Sequence, residues 1–549
     1  MKRNLLPILF LYIFAASCSP KTAPTTFSAN NDRPKLVVGV VIDQMRWDYL
    51  YRYYERYGSG GFKRLMNDGF NCQNTMISYI PSYTAPGHAG IYTGSVPSVN
   101  GIAANNWVDN LTGREWYCAE DTTVTPVGCT GATGLMSPRN LITTTVTDEL
   151  KLATNMRARV YGVSIKDRGA IFPAGHLANG AYWYDDATGN FCSSSYYSNS
   201  SPAWLQSFNG RHLPDSLLNL KWNLLYNADT YTQSTADDSK YEGTLKKEKS
   251  PVFPHTTDGL KEKDKYGAIR VMPAGNTLSV MMAKACAEGE HLGQGSATDF
   301  LCLSLSSTDY AGHNYGPNAM EIEDMYLRLD NEIAGLLSYL DNKVGKGNYL
   351  FFLTADHGAA HNATYLTDMN VPAGTESKET ENNVNAYLKS IYNTDKLVAH
   401  YMNYQLYLNE GAISAAKLDR DKVKNSIIEW MNKRPEVSYI IDMERMDKTA
   451  IPEPIRTMVT NGYYHLRSGC MQVILNPAWY EASRPTGTTH GTWNPYDAHI
   501  PLLWYGWHIP AGETHETVHM CDIAPTVAAL LHIQMPNGNV GTVIKQIKK

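Results

Sequence analysis

No Cys-x-x-Cys pair occurs among the nine cysteines of this 549-residue chain, which argues against a thiolate-bound metal. No basic run stands out and the formal net charge is -5, so the chain lacks the electrostatic footprint of a nucleic-acid-binding protein. Phenylalanine is scarce, 12 residues against 36 tyrosines, and bulky side chains with a polar tip suit a large, partly wet surface. Neither an internal repeat nor a low-complexity tract is found, so a repeat architecture is set aside. What remains is an ordinary globular composition, 43% hydrophobic and 18% charged, with apolar material for a substantial core.

The start of the chain stands apart. Lys2 and Arg3 precede an apolar run from Leu5 to Ala16, which is too short to span a bilayer comfortably. A basic start, a short apolar segment and small residues read as a secretory signal over residues 1–17. Ala15-Ala16-Ser17-Cys18 also resembles a bacterial lipoprotein cleavage site, so lipidation of Cys18 is expected, with simple cleavage as the alternative. Residues 18–33 are then expected to read as a flexible tether. The expected location is periplasmic or anchored to the outer membrane. Leaving out Cys18, the cysteines are even in number in a disulfide-permitting compartment, and Cys118 with Cys129 is the expected pair.

Beyond residue 34 an apolar strand followed by Asp recurs. Leu36–Ile42 ends on Asp43, residues 300–306 lead to Asp309 and His313, and Tyr349–Thr354 leads to Asp356-His357-Gly358. Short runs that are apolar throughout predict strands buried on both faces of a parallel sheet. Ligands in such sheets bind beyond the carboxyl ends of the strands, so the three segments point to one site. Residues 159–165 and 501–505 read as further strands. Met325, Leu329, Ile333, Leu336 and Leu340 give an apolar helical stripe after Pro317. The expected fold class is therefore α/β, a doubly wound, mainly parallel sheet flanked by helices, with inserted cap segments. One catalytic domain, residues 34–549, would carry insertions near 193–265 and 365–485.

Asp and His without Cys suit zinc in a hydrolytic site. Asp309 and His313 are within reach of one metal if a turn follows the strand. Asp356 and His357 diverge along an extended backbone but meet if the chain turns sharply, which Gly358 permits. His490, in Gly-Thr-Thr-His-Gly, is free to approach a metal. Thr84 lies in Pro-Ser-Tyr-Thr84-Ala-Pro-Gly-His, a loop turning into a helix start where an anion is favoured. Its hydroxyl would need metal activation to act as a nucleophile. A helix-capping Thr84 is the competing reading, Ser82 is the competing hydroxyl, and His88 reads as a support rather than a ligand.

Together these segments resemble the alkaline phosphatase superfamily, in particular the phosphate-insensitive periplasmic alkaline phosphatases of Bacteroidetes-type bacteria. The likeness runs through Val-Ile-Asp43, Tyr-Thr84-Ala-Pro-Gly-His, Gly-Ile-Ala-Ala-Asn105-Asn-Trp, Ser-Ile-Lys166-Asp-Arg168-Gly, Thr-Asp309-Tyr-Ala-Gly-His313, Ala-Asp356-His357-Gly, Thr-Thr-His490-Gly and Asp522-Ile-Ala-Pro-Thr526. It implies one Zn2+ held by Asp309, His313 and His490, and a second held by Asp43, Asp356 and His357 with Thr84 as a further ligand. It also implies a covalent phosphothreonine on Thr84.

The superfamily framework serves monoesterases, diesterases and sulfatases alike. Thr84-Ala-Pro-Gly-His lacks the modifiable Cys or Ser and the Arg of the sulfatases. A monoester carries one more negative charge than a diester. Lys166 and Arg168, on one side of an extended segment, would clamp the extra oxygen, with Asn105 as another donor. The resemblance assigns these three that role in the monoesterases. The expected substrates are therefore small phosphate monoesters, with a phosphodiesterase or nucleotide pyrophosphatase on the same site as the alternative. A non-catalytic binding lipoprotein is the reading from another class. A monomer is favoured.

Overall fold

A computed structural model describes residues 33–547, the side chains of residues 262 and 263 excepted. The expected signal segment, Cys18 and nearly all of the tether lie outside the described residues. In chain order, the elements that frame the site are β1 (Leu36–Ile42), β2 (Phe70–Met76), α1 (Thr84–Thr93), β3 (Val160–Ser164), α2 (Asp167–Ala174), β4 (Gly180–Asp185) and β5 (Asn190–Ser194). They continue with β6 (Asp299–Leu305), α3 (Ser307–Tyr315), α4 (Met320–Leu340), β7 (Tyr349–Thr354) and β8 (Leu502–Gly506).

The sheet runs β2–β8–β7–β1–β6–β3–β4–β5. Its centre, β7–β1–β6–β3–β4, is parallel. The margins β2–β8–β7 and β4–β5 are antiparallel. Every residue of β1, β6 and β7 is buried, which is why these strands carry no polar alternation. Val41 lies opposite Thr354, and Ile42 opposite Leu305. The three strands therefore end together, and the residues that follow each of them emerge at one edge.

Helices cover the sheet. The stripe Met325, Leu329, Ile333, Leu336 and Leu340 is buried along α4, which starts at Met320 rather than beside Pro317. Glu321 and Glu323 stand in its first turn, where the helix dipole favours acids. Residues 380–475 build a separate four-stranded antiparallel sheet with its own apolar core, including Val384, Leu406, Ile427 and Met471. The stretch after β5 is largely short helices and loops laid on α3 and α4. Trp222 Nε1 donates to Asp324 Oδ2 (2.7 Å), and the Gly243 amide donates to Asn314 O.

One expected pairing is overturned. All eight described cysteines are free thiols, and Cys118 is not joined to Cys129. Pairing of residues 126–127 with 193–194 on β5 instead brings the Cys129 thiol against that of Cys192. The turn-rich stretch between Cys118 and Cys129 suggested the wrong partner because the strand ladder, not the loop, decides which thiols meet. No described helix is long and apolar enough to cross a membrane.

Candidate active site

The nucleophile candidate stands where a helix starts. Tyr83, in extended conformation, is the N-cap of α1 and makes no side-chain cap, so Thr84 occupies the first helical position. The capping role weighed for Thr84 is thereby excluded. The whole of α1 is buried, an unusual place for a threonine hydroxyl without a task. Gly87 lets α1 settle onto the turn after β7, since a Cβ there would lie 2.5 Å from the Asp356 carbonyl oxygen. His88 ties helix and turn together, with Nδ1 2.9 Å from Thr84 O and 3.3 Å from Asp356 Oδ2, and Nε2 2.9 Å from Ser304 Oγ.

Six residues of metal-ligating type converge as two triads, Asp43–Asp356–His357 and Asp309–His313–His490. Within each, one donor atom per residue lies within 4.8 Å of the other two. Asp309 and His313 meet because α3 follows β6 and places residues four apart on one face, with His313 Nε2 3.2 Å from Asp309 Oδ1. His357 shares a site with its neighbour Asp356 because the chain turns after β7. Gly358 serves that turn through closeness rather than through unusual dihedrals, as a Cβ would lie 2.1 Å from Tyr496 O. His490 reaches the edge from a loop, and its ring stacks on His357 with centroids 3.5 Å apart.

The three imidazoles share one hydrogen-bonding pattern. Nδ1 of His357 faces Gly358 O (3.0 Å), Nδ1 of His313 faces Thr488 O (2.9 Å) and Nδ1 of His490 faces Ser82 O (2.8 Å). A carbonyl can only accept, so each neutral ring carries its proton on Nδ1 and turns the Nε2 lone pair into the site. Burial, together with nearby histidines for His490, keeps His357 and His490 below the usual imidazole range, hence neutral. His357 Nε2 and Asp43 Oδ1 are buried without a hydrogen-bond partner and lie 3.5 Å apart.

Lys166 joins the triads. Its Nζ lies 2.7 Å from Asp43 Oδ2, 2.6 Å from Asp309 Oδ2 and 3.4 Å from Thr84 Oγ1. Burial opposes its charge, but Asp309 and Asp43 outweigh that and hold the amine protonated. One lysine does not balance three buried carboxylates. Burial and then Asp356 push Asp43 well above the usual carboxylate range. Asp309 is likewise penalised by burial, yet His313 and Lys166 hold it well below that range. A buried, unpaired carboxylate costs several kcal/mol, about as much as a marginal domain's stability, so the donor set fits added cations.

Lys166 and Arg168 do not lie on an extended segment. Lys166 is the N-cap of α2 and Arg168 is in its first turn, because the chain coils directly after β3. Lys166 still reaches Thr84, whereas Arg168 Nη1 donates to Tyr117 Oη (3.0 Å). Asn105 Oδ1 accepts the Ala85 amide (2.9 Å), which holds it beside the start of α1. Ser82 Oγ donates away, to Thr492 O. Three participants escaped the sequence reading: Gln44, whose Nε2 donates to Asp309 Oδ1 (2.7 Å), Tyr117, and Tyr310, whose ring lies 5.0 Å from Lys166 Nζ. Gln44 directly follows Asp43, and Tyr310 directly follows Asp309, which was the only signal available.

Residues 37–497 match the family described as type I phosphodiesterase / nucleotide pyrophosphatase. A solved structure of alkaline phosphatase PafA superposes with a TM-score of 0.92 at 48% identity, covering 94% of this chain and 99% of that one. The chain belongs to the alkaline phosphatase superfamily. Within that superfamily it is 49% identical to alkaline phosphatase PhoV of Synechococcus elongatus over the whole of both chains. PafA of Elizabethkingia meningoseptica is 48% identical over 94% of each chain. A Myroides odoratus protein named calcium-transporting ATPase is 47% identical over 97% of this chain and 98% of that one.

Proposed function

We propose that this chain is an alkaline phosphatase, a hydrolase of phosphate monoesters that works through a phosphothreonine on Thr84. The observation that carries the proposal is the common orientation of His313, His357 and His490, each with Nδ1 on a backbone carbonyl and Nε2 turned toward the buried aspartates beside Thr84. The names of PhoV and PafA support the same reading. So does a solved PafA variant in which a threonine, an asparagine, a lysine and an arginine are substituted, the residue types of Thr84, Asn105, Lys166 and Arg168.

Asp309, His313 and His490 would hold one divalent ion, and Asp43, Asp356 and His357 the other; oxygen and imidazole donors without thiolate suit zinc. Such ions supply Lewis-acid chemistry, lowering the pKa of a coordinated hydroxyl and offsetting phosphoryl charge. The chain's own residues do the rest. Thr84 Oγ1 attacks phosphorus, the P–O bond to the alcohol breaks, and the alcohol leaves with a proton while Thr84 keeps the phosphoryl group. Water then attacks phosphorus, the bond to Thr84 breaks, and inorganic phosphate leaves. Lys166, 3.4 Å from Thr84 Oγ1, opposes the charge that distinguishes a monoester from a diester. Asn105 Oδ1 accepts the Ala85 amide and so fixes the first turn of α1, which leaves its Nδ2 to donate to a phosphoryl oxygen. The signal-like start supports the reading of an exported activity.

The test compares phenyl phosphate with methyl phenyl phosphate. The wild type is expected to prefer the monoester, and Thr84→Ala to lose at least about 10³-fold in kcat, with acid-quenched wild type yielding phosphothreonine by mass spectrometry. Lys166→Ala is expected to lose about 10²-fold on the monoester and far less on the diester. A wild-type preference for the diester, or an unchanged preference in Lys166→Ala, refutes the monoesterase assignment.

A further inference from the structure

Beside the His313 triad lies a cavity of about 410 Å³ whose walls, apart from His313, the reaction has not used. It opens on His313, Thr488 and Thr489, and Tyr83, the residue before the nucleophile, forms part of its wall. Its remaining walls come from the 480–489 segment and from Lys378 and Tyr404. The cavity therefore adjoins the residue before Thr84, the residue before His490, and His313 itself. A phosphoryl group held between them would direct its alcohol outward, and this cavity is the space on that side. Its volume falls in the range of small-molecule sites.

The lining is hydroxyl-bearing and charged, so a purely apolar leaving group would desolvate it without return. Two cations face one acid. Arg484 Nη2 is pinned to α3, donating to the His313 backbone carbonyl (2.9 Å) and to the Asn314 side-chain Oδ1 (3.4 Å). That bond aims the guanidinium while leaving its charge unpaired: no described carboxylate forms an ion pair with Arg484 or with Lys378. Glu481 is the one acid in the wall, and its carboxyl is raised by burial, which Lys378 only partly offsets. Tyr404 Oη already accepts the Glu481 amide, so that hydroxyl is held in place.

We propose that this cavity binds the leaving alcohol, and that Lys378 and Arg484 select alcohols carrying a second anionic group, a carboxylate or phosphate. The proposal rests on the monoesterase reading and adds a substrate class to it. The chemistry at phosphorus is unchanged; the two cations act on the remote charge, lowering KM rather than raising kcat.

The probes are 3-(carboxymethyl)phenyl phosphate and its neutral carboxamide, whose phosphoryl centres are alike and whose remote charges differ. The wild type is expected to favour the carboxylate about tenfold in kcat/KM, mainly through KM, and less at high salt. The Lys378→Ala/Arg484→Ala double variant is expected to bring the ratio within about twofold of unity, and Lys378→Glu/Arg484→Glu to reverse it. Turnover of the carboxamide is expected to stay within about threefold throughout, which shows that the variants fold. Arg484→Lys, which keeps the charge, is expected to retain much of the preference. Equal turnover of both probes by the wild type, or a preference that survives the double variant, overturns the proposal while leaving the monoesterase standing. If the wild type hydrolyses neither probe, both readings fall together.

Discussion

Asp43, Asp356 and His357 leave the ends of two neighbouring parallel strands, whereas Asp309 and His313 stand on a helix and His490 arrives from a loop some 130 residues beyond His357. The first triad is wholly buried. In the second, the His313 side chain is 35% exposed and borders the cavity that Arg484 and Lys378 rim. One triad is thus part of the sheet's interior, pressed against the nucleophile helix at Gly87. The other borders the cavity proposed to hold the leaving alcohol. Rigid placement suits activation of Thr84, and access suits the changing occupants of the leaving side.

The strongest way to break that comparison is to strip the metals. A chelator is expected to abolish turnover, with metal released in two phases and the faster phase belonging to the exposed triad. His313→Asn should remove the fast phase and Asp356→Asn the slow one, each lowering kcat by at least about 10³-fold. Metal content by atomic emission, taken alongside activity, reads both. Two phases of equal rate, or loss of the slow phase in His313→Asn, would remove the distinction between the triads.

A smaller effect tests the buried side alone. In Gly87→Ala the new Cβ would lie 2.5–2.6 Å from the backbone oxygen and Cβ of Asp356, so α1 or the turn must shift. A misplacement of that size is expected to cost about 10²-fold in kcat while leaving metal at the His313 triad intact. Unchanged kcat would show that the nucleophile helix is not keyed to Asp356.

This division also explains what the sequence could and could not reveal. Asp43, Asp309 and Asp356 were legible because strands buried on both faces leave unbroken apolar runs, and the acid that follows each run marks one sheet edge. His490 became legible only beside the others, since nothing local distinguishes a His between glycines and threonines. Tyr117 was invisible, and Gln44 marked only by its place after Asp43, because their partners are distant in sequence. The Cys118–Cys129 expectation failed for the same reason. Lys166 and Arg168 were read on an extended backbone, because an Asp-Arg-Gly sequence does not announce a helix start at Asp167; Lys166 reaches Thr84 all the same, while Arg168 meets Tyr117.

The smallest expected effect lies behind the exposed triad, where the segment after β5 grips α3. His255 is fully buried between Glu248 (3.0 Å) and Glu321 (3.1 Å), with its ring 5.4 Å from that of Tyr315 on α3. Burial opposes its charge, yet Glu248 and Glu321 raise it from 6.5 to about 9. Its stabilisation is therefore complete below about pH 6.5 and lost as pH climbs through about 9. The rise is worth at most about 3 kcal/mol, and less in net because burial also pushes Glu321 up, which costs stability above the normal carboxylate range. Glu242 in the same cluster, raised to about 9 by burial and Glu321, loses stability in the same direction. Tm is thus expected to fall between pH 6.5 and 9, and His255→Gln to flatten that fall by a few degrees. Because α3 carries Asp309 and His313, His255→Gln at pH 7 should also speed metal loss from the exposed triad, and leave the buried one alone. Equal acceleration of both phases would mean that the two triads are not separately anchored.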